Sequence, residues 1–95
     1  IENPTAALLM RAAEIVERGW CQGQIGVAGG PRCAVGAMEE ANVVVGSFSK
    51  AHKALREYLN VTLLGSGWND RPGQTAANVA FTMRQVAMSM ARVSA

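Results

Sequence analysis

Leu8, Leu9, Ala12, Ile15 and Val16 recur at intervals of three and four residues, the spacing of one buried face of an α-helix. Arg11, Glu14 and Arg18 fall on the opposite face. Asn3 is placed to cap this helix, Pro4 suits its first position and Gly19 suits its end. Glu14 and Arg18 stand four residues apart, a pair worth about 0.2–0.5 kcal/mol on an exposed helix. A second helix is predicted from near Pro31-Arg32-Cys33 to about Ala41, with the β-branched run Val43-Val44-Val45 either following or continuing it. Ser47 or Ser49 then caps a third helix reaching Tyr58 or Leu59, with Ala51, Ala54, Leu55, Tyr58 and Leu59 on one face. Thr75 opens the last helix, and Val79, Met83, Val86 and Met90 form its core stripe. Asn78 at the third helical position makes only a partial capping box, because Asn is shorter than Glu or Gln.

Two segments break this helical pattern. Residues 20–32 are rich in glycine; residues 24–27 read as a short extended piece, and Gly29-Gly30-Pro31 as a turn. Residues 65–73 read as a loop in which Pro72-Gly73 forms the centre of a type II turn. The fold class expected is mainly α: a compact bundle of about four helices, with a glycine-rich loop or small hairpin after the first. Residues 1–95 read as a single helical domain.

A chain of 95 residues hides roughly 65% of its unfolded surface, enough for one core. Many of its apolar residues are alanine and few are aromatic, which favours close helix packing over a sheet sandwich. The net charge of +2 is too small to imply a nucleic-acid or membrane partner. The longest aliphatic run, Val43 to Val45, is far short of a membrane span, and no charged segment followed by an apolar one opens the chain. The first residue is Ile1, consistent with a trimmed start. Cys21 and Cys33 are expected as reduced, mostly buried thiols in a cytoplasmic setting; a disulfide across the intervening loop is the alternative, and spacing does not decide between them.

Few residues offer chemistry. Two cysteines and one histidine, with no close ligand spacing, make no metal site, and no cofactor is implied. Cys33 at a predicted helix start is a candidate nucleophile, with His52 as base and Asn69 or Asp70 to orient it. The simpler reading of Cys33 is a small core residue. Lys50, His52, Lys53 and Arg56 lie on the third helix in a layout with a faint helix-turn-helix character, but Glu57 dilutes them and a solvated helix face explains them. Glycines 23, 26, 29 and 30 lack the lysine and hydroxyl of a phosphate loop. Trp68-Asn69-Asp70 either lines a cleft or plugs the core, with the Asp70 carboxylate accepting from Gly73 or Gln74. Trp20 and Gln22 carry the same ambiguity: cleft contacts, or anchors to the backbone.

Three motifs in order, Gly19-Trp20-Cys21-Gln22-Gly23, Cys33-Ala34-Val35-Gly36-Ala37 and Trp68-Asn69-Asp70 followed by Pro72-Gly73 and Thr75, give the chain its likeness to other proteins. In these it resembles, over roughly residues 6–90, an uncharacterised family of small proteins from actinobacteria and their phages. The loop between the cysteines is shorter here, and Asn78 stands where a Glu is common. The resemblance implies a bacterial or phage cytoplasmic setting and no particular activity. The function expected is a non-enzymatic helical domain acting through protein contacts, a phage or host accessory factor, with Met83, Met88 and Met90 either an adaptable apolar surface or, in the simpler reading, Met83 and Met90 core and Met88 alone exposed. DNA binding by the helix at residues 49–59 and a cysteine-dependent enzyme built on Cys33 are the alternatives. Oligomeric state stays open.

Overall fold

The computed structural model describes residues 3–27 and 29–94, with side chains to Met90. Ile1, read above as a trimmed start, lies outside the described residues. Four helices follow in order: α1 Pro4–Arg18, α2 Ala34–Val45, α3 Phe48–Leu59 and α4 Ala76–Ser94. Between α3 and α4 the chain makes one π-helical turn, Gly65–Asn69. Helix α1 is central. It packs most extensively against α4 and then α2, while α3 touches all three. The radius of gyration, 11.9 Å, is that of a close-packed chain of this length.

Local chemistry explains where the helices begin. Asn3 Oδ1 accepts from the Thr5 and Ala6 amides at 2.9 and 3.2 Å, capping α1 as its sequence predicts. Thr75 Oγ1 accepts from Asn78 N at 3.0 Å and opens α4. The Asn78 side chain does not complete a capping box. It donates to Gln74 Oε1 at 2.7 Å, and the same oxygen accepts from Thr75 N, so Gln74 does the work that the longer Glu would do. Ser47 stands before α3 in a left-handed conformation (φ 68°) and makes no side-chain cap. Asn42 Oδ1, reaching from α2, accepts from Phe48 N at 3.0 Å instead. The chain between α2 and α3 is so short that the end of one helix caps the start of the next.

The valine run continues α2 to Val45, but Val43 and Val44 face outward, 85% and 68% exposed. The buried face of α2 is Ala34, Ala37, Met38 and Ala41. The three alanines allow close approach to α1, whose Leu8, Leu9, Ala12, Ala13 and Val16 are fully buried. Val79, Met83 and Val86 form the core stripe of α4, with Met90 partly buried and Met88 exposed. On α3 only Ala51 and Leu55 are buried; Tyr58, expected on the apolar face, is exposed because α3 covers less of the core than α1 or α4.

The exposed ion pair expected within α1 does not form as read. Arg18 reaches instead to α2, where both its terminal nitrogens bond to the Glu40 carboxylate at 3.0 and 3.2 Å. Arg32 Nε adds a third bond to Glu40 at 3.1 Å. A carboxylate met by two guanidinium groups holds Arg18 better than one flexible neighbour on the same helix. Glu17 pairs with Arg84 and ties α1 to α4.

The glycine-rich segment forms a loop with two isolated β-bridges rather than a hairpin. Arg32 pairs in parallel with Trp20 and antiparallel with Gly26. The loop lies directly on α2: a Cβ on Gly36 would sit 2.3 Å from Ile25 O, so only glycine admits this contact. Farther along, Gln74 N donates to Arg71 O at 3.1 Å and Gly73 has φ 84°, the type II turn expected at Pro72-Gly73.

Candidate functional site

Glycine-rich loop, π-turn and start of α2 meet around one side chain. The π-turn closes through Asn69 N to Leu64 O at 2.7 Å and Asp70 N to Gly65 O at 2.9 Å, and its five-residue repeat turns Asn69 inward to complete burial. Asn69 Oδ1 accepts from Trp20 Nε1 at 2.7 Å and from Ala34 N at 2.9 Å. Asn69 Nδ2 donates to Cys21 O at 3.0 Å and to Asp70 Oδ1 at 2.9 Å. The amide thus uses both lone pairs and both hydrogens. Its orientation follows from its partners: a backbone N–H must meet the oxygen, and a backbone C=O must meet the nitrogen.

The other candidates gather on the same point. Gln22 Nε2 donates to Asn69 O at 3.0 Å and to Arg71 O at 3.1 Å. Asp70 Oδ1 accepts from Gly23 N at 2.9 Å. That replaces the expected bond to Gly73 or Gln74: the π-turn aims the carboxylate at the first loop, and the Gln74 amide is taken by Arg71 O. Trp68 is buried at 3% exposure within the core, and its carbonyl accepts from Gln74 Nε2 at 3.1 Å. Trp20, Gln22, Asn69 and Asp70 therefore form one cluster, with Trp68 beneath it. The cluster also caps α2. Ala34 N is one of the donors a helix start leaves unpaired, and Asn69 satisfies it from a distant part of the chain. Cys33, the N-cap residue, accepts from Gly36 N through Sγ at 3.4 Å.

The proposed nucleophilic set is not assembled by hydrogen bonds. Cys33 is buried at 4% exposure. His52 accepts from Arg56 Nε at Nδ1 (3.1 Å) and packs against the Phe48 ring, and among the described residues no hydrogen bond joins it to Cys33 or Asp70. Burial, followed by the Arg56 charge, lowers the His52 pKa. Arg56 is thus engaged within α3, leaving Lys50 and Lys53 as the exposed cations of the expected basic patch. Among the described residues, no three His, Cys, Asp or Glu side chains stand together as a metal cluster would require. No helix there is long and apolar enough to cross a membrane.

Both cysteines are free thiols; Cys33 is buried as expected, but Cys21 is only half-buried, in the glycine-rich loop with its Sγ toward Gln24 O. Burial raises the Cys21 pKa, and the nearby Cys33 and Asp70 add to the shift, against Arg32. A cavity of about 300 Å³ opens beside them, lined by Gly23, Gln24, Ile25, Cys33, Val35 and Asp70.

Glu40 is the part of this region that sequence reasoning missed. Hydrogen bonds from Arg18 and Arg32 and from the Gly29 amide, against some burial, hold its carboxyl down at about 2. Arg18 also donates to Gly30 O at 3.0 Å, so the Glu40 cluster pins the far side of the loop whose near side Asn69 pins. The one sequence signal was an acid on α2 eight residues from Arg32, too long a step to distinguish from solvated charge.

Residues 1–88 match the model of a family of unknown function, DUF6197. No curated protein and no solved structure matches the chain.

Proposed function

The chain belongs to this family of unknown function, DUF6197, and we propose that it is a non-enzymatic domain acting through contacts with another protein chain, its polar motifs serving as an internal clasp. One division of labour supports this reading. The polar side chains that invite a catalytic interpretation are held by hydrogen bonds within the fold: buried Asn69 through all four of its bonding positions, half-buried Asp70 by the Gly23 amide, and exposed Gln22 by the Asn69 and Arg71 carbonyls. Large apolar side chains are turned outward: Val43 and Val44 at the end of α2, and Phe81 and Met88 on α4, 60% and 52% exposed. Phe81 and Met88 are seven residues apart and share one face of α4. The occupant to which this reading commits is a second copy of the chain. A net charge of only +2 opposes self-association little, and exposed apolar side chains on two helices favour it. The motif resemblance supports a cytoplasmic setting, in an actinobacterium or a phage-infected host, as part of this reading.

Sedimentation equilibrium over a wide concentration range tests the contact, alongside thermal melts. The parent should self-associate, while Phe81→Ser/Met88→Ser or Val43→Ser/Val44→Ser should stay monomeric and keep the parent melting temperature. Gln22→Ala and Asp70→Asn should melt lower. A parent that is monomeric throughout, or motif variants that melt at or above the parent temperature, would sink the reading; the second result would point to a cleft whose residues are held at a cost in stability.

A further inference from the structure

Cys21 and Cys33 are twelve positions apart in sequence and neighbours in space. Trp20 and Arg32 form a parallel β-bridge, Arg32 N donates to Gly19 O at 3.1 Å, and Cys21 N donates to Arg32 O at 3.3 Å. The next pair along this register is Cys21 with Cys33. Neighbouring strands lie about 4.8 Å apart, inside the Cα separation that a disulfide spans. Side chains alternate along extended chain, so both cysteines leave the face opposite to Trp20 and Arg32, and leave it together. Cys33 is extended, with φ −75° and ψ 177°. The Cys33 sulfur is near enough for its charge to be felt at Cys21, where it is among the groups that raise the pKa.

From this geometry we propose that Cys21 and Cys33 are a thiol-oxidation site, a dithiol that closes to an intramolecular disulfide when a small-molecule disulfide is supplied. The reaction balances with that oxidant alone. The thiolate of half-buried Cys21 attacks one sulfur of the oxidant and expels one small thiol, giving a mixed disulfide on Cys21. Cys33, deprotonated, then attacks the Cys21 sulfur and expels the second small thiol. Two protein thiols are oxidised, one disulfide is reduced, and the two protons end on the released thiols. Cys21 is the entry point because Cys33 is buried. Its raised pKa makes the first step slow at neutral pH and faster as pH rises.

Closure spares the clasp. Asn69 holds Cys21 through its backbone carbonyl, and the Gly36 amide bonds to Cys33 Sγ as an acceptor, so neither contact needs a thiol hydrogen. Only the 3.5 Å bond from Cys21 Sγ to Gln24 O is given up. The product is a covalent tie between the glycine-rich loop and the N-cap of α2, at the wall of the cavity that Cys33 lines.

The test is incubation of the native full chain in glutathione buffers of graded oxidised fraction, followed by acid quench, intact mass and peptide mapping. The expected product is two hydrogens lighter than the reduced chain, with a Cys21–Cys33 cross-link, at a yield independent of protein concentration. Cys21→Ser and Cys33→Ser should each show no such loss. Three results overturn the proposal: both thiols remaining free in fully oxidised glutathione, glutathione adducts accumulating on the parent without closing, or a cross-link that appears only between chains.

Discussion

Replacing Asn69 by Ala should remove the clasp at its centre, and the structure sets the size of the loss. The Ala34 amide is buried and would be left without an acceptor, which costs about 1–3 kcal/mol. Cys21 O loses its donor, and Trp20 Nε1 its acceptor, in half-buried surroundings that water can partly reach, each worth about 0.5–1 kcal/mol. Asp70 keeps its bond to Gly23 and contributes little. The expected loss is about 2–5 kcal/mol, a large share of the roughly 5–15 kcal/mol that stabilises a domain. Urea unfolding followed by tryptophan fluorescence measures it, and the native emission of Trp20 should shift as its indole nitrogen loses its partner. Asn69→Asp sharpens the test. It keeps an acceptor for Trp20 and Ala34, loses the donor to Cys21 O, and places a buried carboxylate against Asp70. That group's folded pKa is raised above its unfolded value, so the variant is most stable below the unfolded carboxylate pKa and loses stability as pH rises to the folded one. A loss below about 1 kcal/mol for Asn69→Ala, or an Asn69→Asp chain whose stability does not fall on going from acid to neutral pH, would refute the reasoning.

Gly36→Ala should lower the melting temperature although alanine is the better helix former by about 1 kcal/mol, because the new methyl meets Ile25 O at 2.3 Å and Ile25 Cγ2 at 2.9 Å; a melt equal to or above the parent's would show that the loop can lift off α2 at little cost. Hydrogen bonds hold the Glu40 carboxyl down at about 2 in the folded chain against 4.5 for a free glutamate, so its contribution is fully present above the unfolded pKa and is lost as pH falls from near 4.5 through about 2. Discounted for solvent screening, that contribution is about 1–2 kcal/mol. Glu40→Gln should forfeit it at neutral pH and flatten the acid limb of the stability curve, and an unchanged acid limb measured by pH-resolved unfolding would contradict the assignment.

Short-range chemistry made much of this fold legible. The stripes of α1 and α4 and the caps at Asn3 and Thr75 depend on residues within a few positions of one another, where sequence spacing is spatial spacing. The Pro72-Gly73 turn is legible for the same reason. Departures arise where a distant partner outbids a near one. Arg18 leaves its own helix for Glu40, Phe48 N takes Asn42 Oδ1 in place of a serine cap, and Asp70 turns from the following amides to Gly23. The motif residues were recognisable as unusual, but their convergence on Asn69 was not, because a π-turn shifts the inward-facing position and carries no residue signature of its own. Left-handed Ser47 is the same kind of case: a short connection between two packed helices imposes it, against the preference of the residue.

The three motifs of the sequence are, in space, one object. Trp20, Cys21, Gln22 and Gly23 from the first, the Ala34 amide from the second, and Asn69 and Asp70 from the third are joined by direct hydrogen bonds. Trp20, Gln22, Asn69 and Asp70 make these contacts through side chains that other residue types would not supply, so the fold alone is reason enough for a chain to carry them. A likeness founded on these positions then speaks about how the glycine-rich loop is fastened to the bundle and is silent about activity. What distinguishes this protein functionally has to be sought where the clasp makes no demand: the outward valines of α2, the Phe81–Met88 face of α4, and the Cys21–Cys33 pair, whose sulfurs the clasp leaves free to react.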